Sequence, residues 1–228
     1  MSDPIPAPTP AATVIPLRES EGHLEVLMLR RNSRGQFGGM WVFPGGQVDQ
    51  ADHPAGVPDE LAAARVAAVR EAREEAGIDI DPDTLEVLSF WMPPPESPRR
   101  FATWFFVASL GAIPDVVIDH GEIREHRWLT PAEAIRLRDA GEWELAPPTF
   151  TTLWWLRSFG TAADAVAAAA AQDTPPKFET HIAMSADNTV MATVWAGDAA
   201  YESRDLSAPG PRRRLVMDPA GWRVETDS

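Results

Sequence analysis

Ala12–Leu17 and Leu24–Arg30 are apolar or alternating stretches, with the polar stretch Glu19-Ser20-Glu21-Gly22 between them. Two such runs joined by a polar, glycine-bearing turn predict a β-hairpin. A glycine-bearing loop follows at 32–39, and then Trp41-Val42-Phe43 reads as a short strand that Pro44-Gly45-Gly46 turns off. At Asp59 the period changes. Asp59 suits an N-cap, the Ala-, Arg- and Glu-rich stretch after it suits a helix, and Gly77 suits its C-terminal stop.

Further strands are expected at Leu85–Trp91 and Ala102–Leu110, joined through Pro93-Pro94-Pro95, and at Arg127-Trp128-Leu129. Helices are expected after Thr130-Pro131 and over Thr149–Phe159. Strands and helices sharing one core predict an α/β sandwich. Ala162–Ala171 has high helix propensity but little apolar bulk, and Pro175-Pro176 then interrupts the chain. Beyond it, Thr189–Trp195 and Arg213–Met217 read as strands, with turns at Gly210-Pro211 and Asp218-Pro219. The expected organisation is a disordered or extended terminus at 1–11, a main domain at 12–160, an alanine-rich helix with a proline linker at 161–176, and an accessory β segment at 177–228. That segment is too short to bury itself, so it docks within the chain or across a homodimer.

Composition narrows the chemistry. Hydrophobic residues make up 44% and charged residues 24% of the 228, which suits a soluble globular protein with room for one α/β domain and an appendage. No apolar run approaches the ~20 residues that span a bilayer, and the Pro-rich start lacks a positive leader. A cytoplasmic protein without a membrane partner is expected. With no cysteine, disulfides and thiolate chemistry are excluded, and a catalytic metal must sit on oxygen or histidine ligands.

A formal charge of −14 disfavours a general nucleic-acid binder. An anionic small molecule would need local positive charge, from a divalent cation or from arginines such as Arg30, Arg31, Arg34 and Arg100. Each of these taken singly reads as a solvated charge. The five histidines show no metal-binding spacing, and no serine sits in a nucleophile-elbow pattern.

Glu71, Glu74 and Glu75 occupy relative positions zero, three and four, so one helical sector carries three carboxylates. Carboxylates this close repel one another and hold protons more tightly unless cations compensate. Arg70 and Arg73 supply part of that compensation, and a hard oxygen-seeking cation, Mg²⁺ or Mn²⁺, would supply more. The same spacing also describes an ordinary salt-bridged helix face, so the glutamates alone decide nothing.

Taken together, Pro44-Gly45-Gly46, Arg70-Glu71, Glu74-Glu75, Gly77 and the apolar Ile78 resemble the Nudix box. In that pattern a glycine is followed after five residues by an acid, which Gly46 and Asp52 satisfy, but residues 53–69 then separate Asp52 from Arg70 where the pattern has seven. The loop is thus ten residues longer, and no role is carried over to Asp52.

The resemblance covers roughly Ala12–Phe159 and implies a Nudix-type α/β/α sandwich with a mixed sheet, followed by a small C-terminal β extension. It implies metal-dependent hydrolysis of a diphosphate bond in a nucleoside diphosphate linked to another moiety. Glu71 and Glu75 would be the first metal ligands, Glu74 the next and the Gly46 carbonyl an addition, with Arg70 orienting a glutamate within the catalytic set Glu71, Glu75 and Arg70. The proton acceptor stays open between Glu71 and two acids of the loop before Trp128, Glu122 and Glu125, either of which could instead be an extra ligand. Phe43–Asp49, Arg99–Phe106 and Ala146–Thr149 look similar to the coenzyme A diphosphohydrolase branch, whose substrates are coenzyme A and its acyl derivatives. The competing reading is a Nudix-fold sensor that binds a nucleotide-like ligand without turnover.

Overall fold

The computed structural model describes residues 7–32, 37–54, 59–111 and 115–227. Strands β1 (Thr9–Ser20) and β2 (His23–Arg31) form the expected hairpin, pairing Leu17 with Val26 down to Ser20 with His23. Beyond Leu17 the two strands part, and the chain from 41 to 47 fills the fork. β3 (Trp41–Val42) pairs with β2, while β4 (Gly45–Gln47) pairs with the early half of β1. Pro44-Gly45-Gly46 therefore does not turn the chain away from the sheet. It steps the chain from one strand edge to another, with the Val14 N–H donating to the Pro44 carbonyl at 3.0 Å.

Helix α1 (Glu60–Ala76) begins at Asp59, whose Oδ1 accepts from the N–H groups of Leu61 and Ala62 at 2.9 and 3.3 Å. It ends at Gly77, in the left-handed region at φ 69°, where a side chain would be strained. Its inward face is almost all alanine: Ala64, Ala67, Ala68, Ala72 and Ala76 pack on Ala12, Val14, Leu27, Leu29 and Phe106. The alanines of this face let the helix lie close to β1 and to the Gly45-Gly46 backbone of β4, which matters for the site below.

β5 (Glu86–Met92), β6 (Phe101–Ser109) and β7 (Ile123–Leu129) complete the main body of the sheet, with β6 parallel to β1 and β7 antiparallel to β2. The opposite face carries α2 (Pro131–Asp139), α3 (Pro147–Leu156) and α4 (Ala162–Ala170), against which Ile15, Leu17, Phe105, Val107 and Leu129 turn. The result is the expected α/β/α sandwich with a mixed sheet.

The region after α4 differs from the sequence reading. Pro175-Pro176 does not lead out to a separate unit: the Phe90 N–H donates to the Pro176 carbonyl at 2.9 Å, and β8 (Lys177–Glu179) joins the main sheet parallel to β5. Only then do β9 (His181–Met184), β10 (Met191–Val194), β11 (Arg213–Asp218) and β12 (Gly221–Thr226) form a second, antiparallel sheet. Trp195 and Leu215 from this sheet region lie in the same apolar cluster as Ile15 and Phe150, so the extension docks on its own chain. The alanine helix is part of this packing too, burying Ala162, Ala165 and Ala169. Alanine's lack of bulk is what suits it to close contact with a sheet.

Candidate active site

Arg70 is the hub of the carboxylate cluster. Its Nε and Nη2 each donate to Asp52 at 3.0 Å, Nη1 donates to Glu71 at 2.8 Å and to Glu74 at 3.0 Å, and Nη2 also reaches the Gln47 carbonyl at 2.9 Å. One planar guanidinium thus ties β4 and the turn after it to the carboxylate face of α1. The hydrogen bonds that Arg70 donates to Asp52, outweighing burial, raise the Arg70 pKa above its ordinary range. Burial pushes the Asp52 carboxyl up, but the Arg70 contact and the Asp49 backbone N–H outweigh it and leave the pKa below the ordinary value.

Asp52, to which the sequence reading gave no role, is therefore a partner of the central arginine. The Gly46–Asp52 interval was the signal for it. The longer connection conceals that signal without disturbing it, since residues 53–69 run from the 3-10 turn Gln50–Asp52 through the Asp59 cap and the start of α1 to Arg70, with residues 55–58 outside the described set.

Glu71 and Glu75 point at β4. A Cβ built on Gly46 would lie 2.2 Å from Glu71 Oε1, so only glycine admits the carboxylate there. The Gly45 N–H donates to Glu75 Oε2 at 3.0 Å. Glu75 is 5% exposed, and burial pushes its carboxyl up to about 8 against the opposing pull of Gly45 and Arg31. Burial likewise raises Glu71, with Arg70 working against it. Glu74 is placed differently: its side chain is 58% exposed and bonded to Arg70, one helical turn back, rather than facing Gly46.

Of the two acids expected before Trp128, the structure brings one to this side of the sheet. Glu122 forms an ion pair with Arg31, whose other nitrogen lies 3.6 Å from Glu75. The turn presenting Glu122 is ordered by Asp119, which accepts from the N–H groups of Glu122 and Ile123 at 2.8 and 2.9 Å. Glu125 is not on a loop. It lies in β7 opposite Arg30, bonded to Arg127, whose guanidinium sits over Trp41 of the other core. Strand alternation sends it to the face away from α1.

The arginines divide the same way. Arg31 faces Glu75, Arg30 faces Glu125 on the far side, and Arg34 lies outside the described residues. Arg100 lines a cavity of about 340 Å³ with Arg99, Ser97, Thr9 and Gln47. This cavity adjoins β4, the strand whose Gln47 carbonyl Arg70 holds.

Among the described residues, no three acidic or histidine side chains are gathered as a closed metal cage. The donors present still fit a hard divalent cation, which commonly takes one or two protein carboxylates and completes its shell with water and substrate oxygens. Glu75 is a buried carboxylate short of positive charge, Glu71 is beside it, and the lack of a side chain at Gly46 lets the Glu71 carboxylate come close to the β4 backbone.

A family profile, the NUDIX domain, matches residues 7–150, more than half of the chain. The protein belongs to the Nudix family. Members of this family generally use divalent metal ions. A Caenorhabditis elegans protein named nudix hydrolase 7 is 32% identical over 159 residues, covering 54% of this chain and 52% of that protein, so the chain spans about half the length of this curated relative. A Nudix hydrolase from Alicyclobacillus acidocaldarius superposes with a TM-score of 0.62 at 22% identity, over 71% of this chain and 96% of that one. The Nudix domain of Shewanella oneidensis NrtR, solved in complex with ADP-ribose, superposes with a TM-score of 0.50 at 17% identity, over 67% and 88%. These two likenesses bear on the fold. Among the described residues, no helix is long and apolar enough to cross a membrane.

Proposed function

We propose that this Nudix protein hydrolyses a phosphoanhydride bond in a nucleoside diphosphate linked to another moiety. The observation that carries the reading is the placement of Glu71 and Glu75 against the Gly45-Gly46 backbone, with Arg70 fixing the helix to that strand. A salt-bridged surface helix would have no reason to bury Glu75 without a full counter-charge.

Glu71 and Glu75, with the Gly46 carbonyl, would hold Mg²⁺ or Mn²⁺, and Glu74, exposed and bonded to Arg70, would join them only as an additional ligand. The cation would supply neutralisation of the diphosphate charge and activation of a water. Arg70 acts as a positioning residue: its five donors are spent on Asp52, Glu71, Glu74 and Gln47, which leaves it committed to protein groups. Glu122 is the better placed of the two late acids to take a proton, since it shares Arg31 with Glu75, whereas Glu125 faces the opposite core.

For the substrate, we infer coenzyme A or an acyl-coenzyme A. Arg99 and Arg100 border the cavity beside β4, and two arginines there suit a molecule carrying a phosphate in addition to its diphosphate. The test is a metal-dependent activity screen on coenzyme A, ADP-ribose, NADH, diadenosine polyphosphates and oxidised nucleoside triphosphates. Mg²⁺- or Mn²⁺-dependent release of a 3′,5′-ADP product from coenzyme A is expected. Turnover of another member alone would retain the chemistry and reject the substrate, and no turnover of any would reject both.

A further inference from the structure

Glu122, the group proposed above to take a proton, has a side chain that is 67% exposed. Packing does not fix such a side chain, so its direction depends on the backbone that carries it and on the ion pair with Arg31. A reacting group that must first be ordered reacts more slowly than one held in place.

The backbone around Glu122 is anchored at both ends. Residues 115–122 lead into β7, and near their start the Val117 N–H donates to the carbonyl of Ala76, the residue after Glu75 in α1, at 2.9 Å. At their end, the Asn32 N–H donates to the Glu122 carbonyl at 2.7 Å and the Asn32 side-chain amide to the Gly121 carbonyl at 2.6 Å. Asn32 follows Arg31, so each anchor is one residue from a side chain of the site.

Between the anchors the chain makes a turn that most side chains disfavour: His120 lies in the left-handed region at φ 56°. Asp119 holds this turn closed. Its carboxylate accepts from the N–H groups of Glu122 and Ile123 at 2.8 and 2.9 Å, and the Gly121 N–H adds to them. Burial pushes the Asp119 carboxyl up, but these backbone donors outweigh it and leave its pKa below the ordinary value, so at neutral pH it is a charged, strong acceptor. Two of the three donors belong to Glu122 and its neighbour, and fixing them fixes the direction in which the Glu122 side chain leaves the backbone. That direction is toward the cluster. Burial is the main reason that the Glu71 and Glu75 carboxyls are raised, and the charge of Glu122 adds to both.

We propose that Asp119 is a positioning residue for the hydrolysis, acting through Glu122. By holding the backbone of the turn, it keeps the Glu122 carboxylate beside Arg31 and Glu75. There the water oxygen forms the new bond to phosphorus, the bridging anhydride oxygen leaves with its electron pair, and the water proton passes to Glu122. The inference rests on the reading of Glu122 as the proton acceptor.

The test is a double-mutant cycle on the full chain, with kcat and KM measured on coenzyme A, or on the member of the screen that is turned over, at saturating Mg²⁺. Glu122→Gln should lower kcat about a hundredfold, the lower end for a lost proton acceptor. Asp119→Ala should lower kcat about tenfold and leave KM within about twofold, because it acts on the proton transfer and not on binding. Asp119→Asn keeps one acceptor oxygen and should fall between Asp119→Ala and the parent. In the Glu122→Gln background, Asp119→Ala should change kcat by less than about twofold, since nothing is left to position. A purely structural role would cost the same in both backgrounds, and such additive losses overturn the inference, as does an unchanged kcat in Asp119→Ala; either result leaves Glu122 as the acceptor. An unchanged rate in Glu122→Gln, or a parent that turns over no member of the screen, overturns both readings together. If the alanine variant does not fold, the asparagine variant carries the cycle with the same criterion.

Discussion

Glu71 and Glu75 differ from Glu74 in where the helix sends them, and that difference sets their expected sensitivities. Glu71→Gln and Glu75→Gln should each lower turnover by about two orders of magnitude or more, because the amide keeps the size and loses the charge that holds a cation. Glu74→Gln should cost less, since its carboxylate is largely solvated and bonded to Arg70. Steady-state rates at saturating Mg²⁺, with thermal melts to confirm folding, measure this, and an unchanged rate in either of the first two removes that residue from the catalytic set.

The raised carboxyl of Glu75 also makes a pH prediction. A proton and a cation compete for it. Below its pKa of about 8 the proton must be displaced, so Mg²⁺ affinity should rise with pH from 6 toward 8 and level off above. Calorimetric titration at fixed ionic strength checks the direction. An affinity that falls over that range would contradict the assignment of Glu75 as a ligand.

At the scale of elements, the C-terminal sheet is pinned by one buried ion pair. Arg214 donates to Asp198 at 2.7 and 2.5 Å, and Asp198 also accepts from the N–H groups of Arg213 and Ala200 at 2.7 Å each. Both side chains are almost fully buried, so removing one charge strands the other. Asp198→Asn should lower stability by about 3–5 kcal/mol in urea titrations.

Burial pushes the Asp198 carboxyl up, but Arg214 and the backbone donors outweigh it and leave its pKa below the ordinary value. A depressed folded-state pKa contributes stability that is present above the ordinary carboxylate range and is lost as pH falls through the folded value. The parent should therefore lose more stability than the Asn variant as pH falls from 5 toward 2. Parallel losses would show that the pair does not set the acid limit.

For the whole molecule, the docking of the extension changes what truncation should do. Removing everything after Pro176 would strip β8 from the edge of β5 and uncover Trp91, which stacks on Phe178, while taking Trp195 and Leu215 out of the shared core. The truncated chain should aggregate or melt at least 10 °C lower, by light scattering and calorimetry. A soluble truncated chain with an unchanged melting temperature would mean the extension is separable after all.

The hairpin, the capped helix and the glycine–glutamate combination were legible before folding, because these depend on local patterning, capping chemistry and residue spacing. The sequence could not reveal that Glu125 and Arg30 face away from Glu75, since strand facing depends on where β7 begins and the expected strand began four residues late. Asp52 was hidden for a similar reason: a loop of any length can return a side chain to the same guanidinium, and spacing rules fail once a loop lengthens. The fate of Pro175-Pro176 was likewise beyond local reading. Two prolines interrupt a helix in any context, but whether the next residues leave the body or add a strand depends on an open sheet edge and an aromatic face at Trp91, and only the assembled tertiary structure provides those.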